Sequence, residues 1–295
     1  MRVLMTNHDL SQIGGTQTWL ETMAKEIRRR GHEVDVACFI NGRFGDRLRN
    51  QDFEVMFLNA GGEWMKRDYG LVIANHNTCL ALAQVVDAPK VFTAHGPAHQ
   101  LERMVPGADR YFAVSEEVQR MYHQPFHPEV ARNPIDLILY RPDKDRHQGR
   151  RVIVACKNKY AMKAAQTACS KAGFECEWMH YKEMPVGTPW ELLPHFDIAI
   201  TSGRGAYEAI ACGLDVIIFD VRSGEMRADG WARPDNIEEL VKCNCSGRAV
   251  DMPWGTGHLV EALNEWQPNW PSLRPWVEEH HDVRKTATRY LEVAA

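Results

Sequence analysis

The sequence contains no apolar run long enough to cross a bilayer. Its most apolar stretch, residues 71–86, is interrupted by Asn75, His76, Asn77 and Gln84, so no integral membrane segment is expected. The N-terminus, Met1-Arg2-Val3-Leu4-Met5-Thr6-Asn7-His8, turns polar too soon to supply the apolar core of a secretory signal, and the chain is expected in the cytoplasm. Charge of one sign is also missing. Thirty-five Lys and Arg against thirty-nine Asp and Glu leave a net charge of -4, which offers no molecule-wide field for gripping a nucleic acid. Paired cysteine knuckles are absent as well: the eight cysteines (Cys38, Cys79, Cys156, Cys169, Cys176, Cys212, Cys243, Cys245) are scattered, mostly inside apolar segments. They read as reduced core thiols. Cys243-Asn244-Cys245 is half of a zinc site with no second pair to complete it, and no metal is expected.

With 44% hydrophobic and 25% charged residues over 295 positions, the chain can bury full cores, and at ~150 residues per domain it divides into about two. A β-type run over 2–6 is followed by a loop over 7–15. Residues 16–30 then carry Trp19, Leu20, Met23, Ala24 and Ile27 at helical spacing, closed by Gly31. Further strands are predicted over 33–39, 53–58, 70–74, 90–94 and 110–114, with helices near 78–86 and 116–122. A polar stretch, 142–150, precedes a second start: strand 152–155, helix 162–172, strands 174–179 and 196–201, helix 206–212, strand 216–219, and a helix near 236–242. A last helix is predicted over 276–293, after a turn rich in Trp and Pro. Such alternation implies an α/β protein of two Rossmann-like, doubly wound parallel-sheet domains. The first spans 1–145 and the second 146–275, with 276–295 as a terminal helix.

In open parallel sheets, ligands bind beyond the carboxyl ends of the strands. Three places there carry chemistry. At Ser11-Gln12-Ile13-Gly14-Gly15-Thr16, the glycines Gly14 and Gly15 let backbone approach a ligand at a helix start that favours an anion; the structural alternative is a tight strand-to-helix turn. The loop is neither a Walker loop nor a dinucleotide fingerprint. At Thr201-Ser202-Gly203-Arg204-Gly205-Ala206-Tyr207-Glu208, Gly203 and Gly205 can approach a diphosphate and Arg204 can neutralise it. Glu208, placed in the first turn of the following helix, can accept both hydroxyls of a ribose, or it can simply complement the helix dipole. The third place is His95, in Ala94-His95-Gly96-Pro97 after a strand, either a functional imidazole or a structural one.

The segment Glu208-Ala209-Ile210-Ala211-Cys212-Gly213-Leu214-Asp215-Val216-Ile217 resembles the Glu-Ala-x-Ala-x-Gly-x-x-Val-Ile motif of GT-B fold glycosyltransferases, particularly family 4. The order of weaker elements agrees: Gly14-Gly15, Thr93-Ala94-His95-Gly96, Val114-Ser115-Glu116, and Asn133-Pro134-Ile135-Asp136 with Arg141-Pro142. The resemblance implies two domains facing a cleft, with the terminal helix crossing back to the first. It implies transfer of a sugar from a nucleoside-diphosphate donor, with UDP as the expected nucleotide, to an acceptor hydroxyl, with retention and without a metal or other cofactor. Glu208 would hold the ribose, with Gly203, Arg204, Gly205, Lys157 and Lys159 around the diphosphate; His95 and Gly14-Gly15 would face the sugar and acceptor. Ile200 stands where family members carry a further glutamate. The expected acceptor is a glycan, a lipid-linked sugar or modified DNA. Residues 141–163 carry eight basic against two acidic side chains, which is either a solvated linker with a few phosphate ligands or a groove for an anionic acceptor such as hydroxymethylated viral DNA. A noncatalytic nucleotide-sugar-binding module and a sugar epimerase of similar fold are the readings of other kinds.

Overall fold

Strands buried on both faces read as near-continuous apolar runs, and the first half of the chain shows them in order: β1 (Arg2–Leu10), β2 (Glu33–Asn41), β3 (Glu54–Phe57), β4 (Leu71–Ala74), β5 (Lys90–Ala94), β6 (Arg110–Ala113) and β7 (Glu129–Val130). A computed structural model describes residues 1–59, 61–97, 99–143, 149–179, 188–222 and 224–294. The chain divides into two compact units, Met1–Pro134 with Val283–Ala295, and Ile135–Asp282.

In the first unit the strands are joined through α1 (Gly15–Arg29), α2 (Arg43–Arg49), α3 (Asn77–Ala83), α4 (Glu116–Met121) and α5 (His123–Phe126). They form one parallel sheet in the order β3-β2-β1-β4-β5-β6-β7. One face packs Val3, Met5, Leu71, Ile73 and Val91 under Trp19, Leu20, Met23 and Ile27 of α1. The other packs Leu4, Val72, Ala74 and Phe92 under Cys79, Leu80 and Ala83 of α3. The chain winds outward from β1 through β2 and β3, then restarts at β4. Helices α1 and α3 therefore leave neighbouring strands toward opposite faces, which opens a crevice between the carboxyl ends of β1 and β4.

The second unit contains β8 (Arg151–Ala155), α6 (Lys159–Ala172), β9 (Glu175–Trp178), α7 (Pro189–Leu192), β10 (Ile198–Thr201), α8 (Arg204–Ala211), β11 (Asp215–Arg222), β12 (Glu225–Trp231), α9 (Ile237–Lys242), β13 (Met252–Pro253), α10 (Thr256–Glu265) and α11 (Arg274–His280). The sheet order is β13-β12-β11-β10-β8-β9. The same rule places its switch point between β8 and β10, because α6 covers one face and α8 the other. The chain returns to the first unit as α12 (Val283–Leu291), whose Ala287 and Tyr290 join the core beneath α1.

Four local expectations are corrected. Strand β1 continues through the polar residues expected as loop, paired with β2 up to Leu10↔Asn41. There the side chains find partners: His8 Nδ1 lies 3.0 Å from Thr78 Oγ1, and Asn7 Oδ1 accepts the Asp9 N–H at 3.3 Å. The second sheet is not wholly parallel, since β12 and β13 add antiparallel strands at one edge. Residues 276–293 form two helices, α11 and α12, separated at His281 and Asp282, both buried. Helix α8 starts two residues earlier than the periodicity predicts. The eight cysteines are free thiols, with Cys176 and Cys243 half-buried and the rest buried. Among the described residues no helix is long and apolar enough to cross a membrane, and no group of three or more His, Cys, Asp or Glu side chains is placed to hold a metal.

Candidate functional site

In the second unit the turns at the switch point are built by adjacent parallel strands, with Ala155 opposite Thr201. Thr201 Oγ1 donates to the Ala155 carbonyl at 3.2 Å, and the buried Cys156 thiol lies 3.8 Å from the Ile200 carbonyl and 3.6 Å from that of Phe219. These contacts draw the ends of β8, β10 and β11 together. After β8 come Lys157, exposed, and Lys159, the first residue of α6, with Asn158 between them capping Tyr160 N–H at 2.8 Å. After β10, Gly203 has φ 64° and ψ -137°, a backbone conformation that favours glycine. It turns the chain straight into α8, so Arg204 and Gly205 are already helical and Glu208 falls in the second turn rather than the first. Gly203 N–H is held by the Cys245 carbonyl at 2.7 Å, and Tyr207 OH donates to Asn244 Oδ1 at 3.2 Å.

Arg204 and Glu208, one turn apart, form an ion pair: Arg204 Nε donates to Glu208 Oε1 at 2.7 Å, with side-chain exposures of 9% and 5%. Two further groups lie beside this turn. Ser202 Oγ donates to Asp220 Oδ2 at 3.1 Å, placing a buried carboxylate at the carboxyl half of β11. Asp229 shapes the loop after α9 by accepting N–H groups of Gly247 at 2.9 Å, Val250 at 2.8 Å and Asp251 at 3.3 Å.

In the first unit, Gly14 caps α1 with φ -156° and ψ 179°, ordinary extended backbone. A Cβ added at Gly15 would meet nothing within 4 Å. A Cβ added at Gly14 would lie 2.5 Å from Gln17 Oε1, the end of a flexible side chain, so a tight turn requires neither glycine, and the Gln17 side chain lies against the start of α1. Across the crevice, His76 caps α3 by position, and His95 follows β5. Because side chains alternate along strands, Asn7 and Asn75 stand in one row on the face covered by α1, with His95 on the same face two residues beyond the position opposite Asn75. His95 Nε2 lies 3.1 Å from Asn75 Oδ1, and its ring meets Trp19 edge-on with centroids 5.1 Å apart.

A buried acid lies beneath this row. Glu102, 6% exposed, accepts the main-chain N–H of His95 at its Oε2, 2.6 Å away. Burial pushes its carboxyl group up to about 8 against the smaller, opposing pull of that N–H. His76 Nδ1 accepts the His8 N–H at 3.0 Å, so its proton sits on Nε2, 3.8 Å from Glu102 Oε1. Burial first, then the neighbouring His8 and His99, press His76 down to about 4.

The structure thus gathers Lys157, Lys159, Gly203, Arg204, Gly205 and Glu208 at the switch point of the second unit, and Gly14, Gly15 and His95 at the carboxyl edge of the first. Sequence reasoning missed Asn75, His76, Glu102, Ser202 and Asp220. The triplet Asn75-His76-Asn77 had a signal: it follows a strand directly, yet it reads only as an interruption of an apolar run. Within the basic segment, Lys144 and Arg146 lie outside the described residues. The Arg150 guanidinium stacks over Phe174 at 4.3 Å, and Arg151 donates to the His195 carbonyl at 2.8 Å and to Glu177 at 3.2 Å. A cavity of about 440 Å³ includes Arg110, His127 and Glu129, but it lies toward the amino end of β6, away from these edges.

The family model described as Glycosyltransferase Family 4 matches residues 13–138. No curated protein sequence matches the chain. Solved structures match along its whole length. Anabaena HepE in complex with UDP and glucose is 15% identical, with 99% of this chain and 98% of that one covered at a TM-score of 0.65. The lipopolysaccharide outer core galactosyltransferase WaaB, in its apo form, is 11% identical with both chains fully covered at 0.60. An α-glucosyltransferase in complex with UDP and a 13-mer DNA containing an HMU base is 14% identical, with 100% and 99% covered at 0.56. The two-sheet fold is that of the GT-B glycosyltransferases, and over residues 13–138 the chain resembles family 4.

Proposed function

We propose that the protein transfers a sugar from a UDP-sugar to an acceptor hydroxyl in the cytoplasm, with retention and with no resident metal or cofactor. The observation that carries this reading is the switch point of the second unit. Two helix starts flank it, Lys157 and Lys159 stand on one, and Gly203, Arg204 and Gly205 form the other, with Glu208 behind them. Negative charge builds on the departing diphosphate, and fixed N–H dipoles with nearby cations stabilise such charge most where water is excluded. Glu208 takes the ribose hydroxyls, while His95 and the Gly14-Gly15 start of α1 serve the sugar and acceptor. The UDP complexes of HepE and of the α-glucosyltransferase, each similar over the full chain, support UDP as the nucleotide.

The acceptor proposed is a glycan or lipid-linked sugar. A second reading, transfer to hydroxymethylated bases of viral DNA, is favoured by one observation, the likeness to the α-glucosyltransferase bound to DNA with an HMU base.

Calorimetry with UDP and measurement of UDP release from UDP-glucose, UDP-galactose and UDP-N-acetylglucosamine test the proposal. UDP binding with turnover of one sugar is the expected result. Binding without turnover, with or without acceptor, would leave a nucleotide-sugar-binding module, and absence of binding would overturn the reading altogether.

A further inference from the structure

His95 stands at the start of a short loop whose far end is Glu102. The single-turn helix Gln100–Glu102 brings the acid back under the histidine, and His99 accepts Leu101 N–H at 3.3 Å to start that turn. Asn77, the first residue of α3, holds it from the side by donating through Nδ2 to the Gln100 carbonyl at 2.8 Å and the Arg103 carbonyl at 3.3 Å. The Glu102 carboxyl group closes the loop through the His95 main-chain N–H at 2.6 Å, and the His76 ring faces its other oxygen at 3.8 Å.

A buried carboxyl group is a costly way to close a loop, since a backbone carbonyl would serve without the desolvation of an ionisable side chain. Its two oxygens do different work here: one fixes the backbone that displays His95, and the other faces an imidazole anchored to β1. The His95 ring is itself held from the side by Asn75, at the end of β4. The imidazole of His95 is thus tied to the end of β4 and its main chain to the single-turn helix, and the tie to its main chain is a side chain that nothing in the proposed chemistry uses.

We infer that Glu102 is a positioning residue for His95: through the main-chain N–H it sets where the imidazole is presented at the carboxyl edge of the first unit. The inference rests on the reading that His95 serves the sugar and acceptor. Its consequence is that turnover depends on a group that touches neither substrate, while nucleotide affinity, placed in the second unit, does not.

Two variants of the full chain test it. Glu102→Met fills the same volume without an acceptor oxygen, and Glu102→Gln retains the acceptor. The His95 imidazole resonance is followed by NMR of histidine-labelled protein, with kcat and KM for UDP release and with UDP affinity by calorimetry. In Glu102→Met the resonance is expected to shift and kcat to fall by about tenfold or more, the scale on which misplacement of a reacting group acts, with donor KM and UDP affinity within about twofold of wild type. Glu102→Gln is expected to keep both close to wild type. If Glu102→Met fails to fold, Glu102→Ala takes its place. An unmoved His95 resonance without the acceptor oxygen, or a Glu102→Gln variant as impaired as Glu102→Met, overturns the inference. Wild-type protein that never turns over a UDP-sugar overturns the proposed function instead, and the resonance still decides whether Glu102 positions His95.

Discussion

Arg204 and Glu208 are paired with each other, so substitution of either is read through the other. Removing one member of a buried pair leaves an uncompensated charge and costs about 3–5 kcal/mol. Glu208→Ala therefore mixes loss of the proposed ribose contact with loss of stability. Glu208→Gln is the cleaner change, because the amide oxygen can still accept from Arg204 Nε. A ribose hydroxyl bonded to a carboxylate contributes about 1.5–3 kcal/mol, against about 1 kcal/mol for a neutral acceptor. UDP affinity of Glu208→Gln, measured by calorimetry on folded protein, is expected to fall about tenfold. Unchanged affinity would remove Glu208 from the ribose and leave it as the counter-charge of Arg204. The structure also bears on Gly14 and Gly15, where ordinary backbone angles and open space at Gly15 argue against a turn that demands glycine.

At the scale of elements, the sequence carried the alternation but not everything it positions. Apolar periodicity located α1 and most of the central strands, because those faces are buried by their neighbours. It lost the last residues of β1, where polar side chains are paired rather than solvated. It also lost β12, whose Glu-Met-Arg-Ala-Asp-Gly-Trp mixes charge with apolar residues along an antiparallel strand near the sheet edge. Glu102 was illegible for a related reason. Between Leu101 and Arg103 it reads as a solvated loop acid, and only the packing of that loop over α3 and β5 buries it.

That burial makes a prediction about pH. Glu102 rises from an ordinary value of 4.5 to about 8, so the folded chain keeps a proton that the unfolded chain releases, and stability is lost as pH climbs through that window. His76 falls from 6.5 to about 4, so the unfolded chain takes a proton that the folded chain refuses, and stability is lost as pH drops through that window. Between the two ordinary values the slopes oppose and cancel. Above about pH 6.5 only Glu102 acts, and one proton over roughly 1.5 pH units is worth about 2 kcal/mol. Around it, His76 and Arg103 are charged or titratable neighbours, and Tyr122 at the end of α4 is raised by its own burial and then by Glu102. Denaturant unfolding at pH 6.5 and pH 8 should show wild type losing about this much more stability than Glu102→Gln. Parallel losses would mean that Glu102 is not held protonated in the fold.

For the whole molecule, the decisive quantity is where the cations of the basic segment 141–163 point. A net charge of -4 gives no attraction at long range, so a DNA acceptor has to be held by a local strip. The segment over 141–163 is a strip of that kind in the sequence, and in the structure two of its arginines bond within their own unit: Arg150 on Phe174 and the Ala172 carbonyl, Arg151 on Phe196, Glu177 and the His195 carbonyl. Lys157 and Lys159, in the proposed function, are committed to the diphosphate. Among the described residues of the segment that leaves Arg141 and Lys163 for a duplex backbone, and the acceptor of the proposed function is a glycan or lipid-linked sugar. Binding of duplex DNA carrying hydroxymethylated bases, measured across a salt series, should accordingly be weak at low salt and nearly flat. A groove that neutralises several phosphates would instead lose affinity linearly in log salt, with a slope of about 0.9 for each phosphate released from its counterions. A slope of about four or more, flattened by replacing Arg150 and Arg151 together, would show that those side chains leave their partners for the backbone and would make DNA the acceptor.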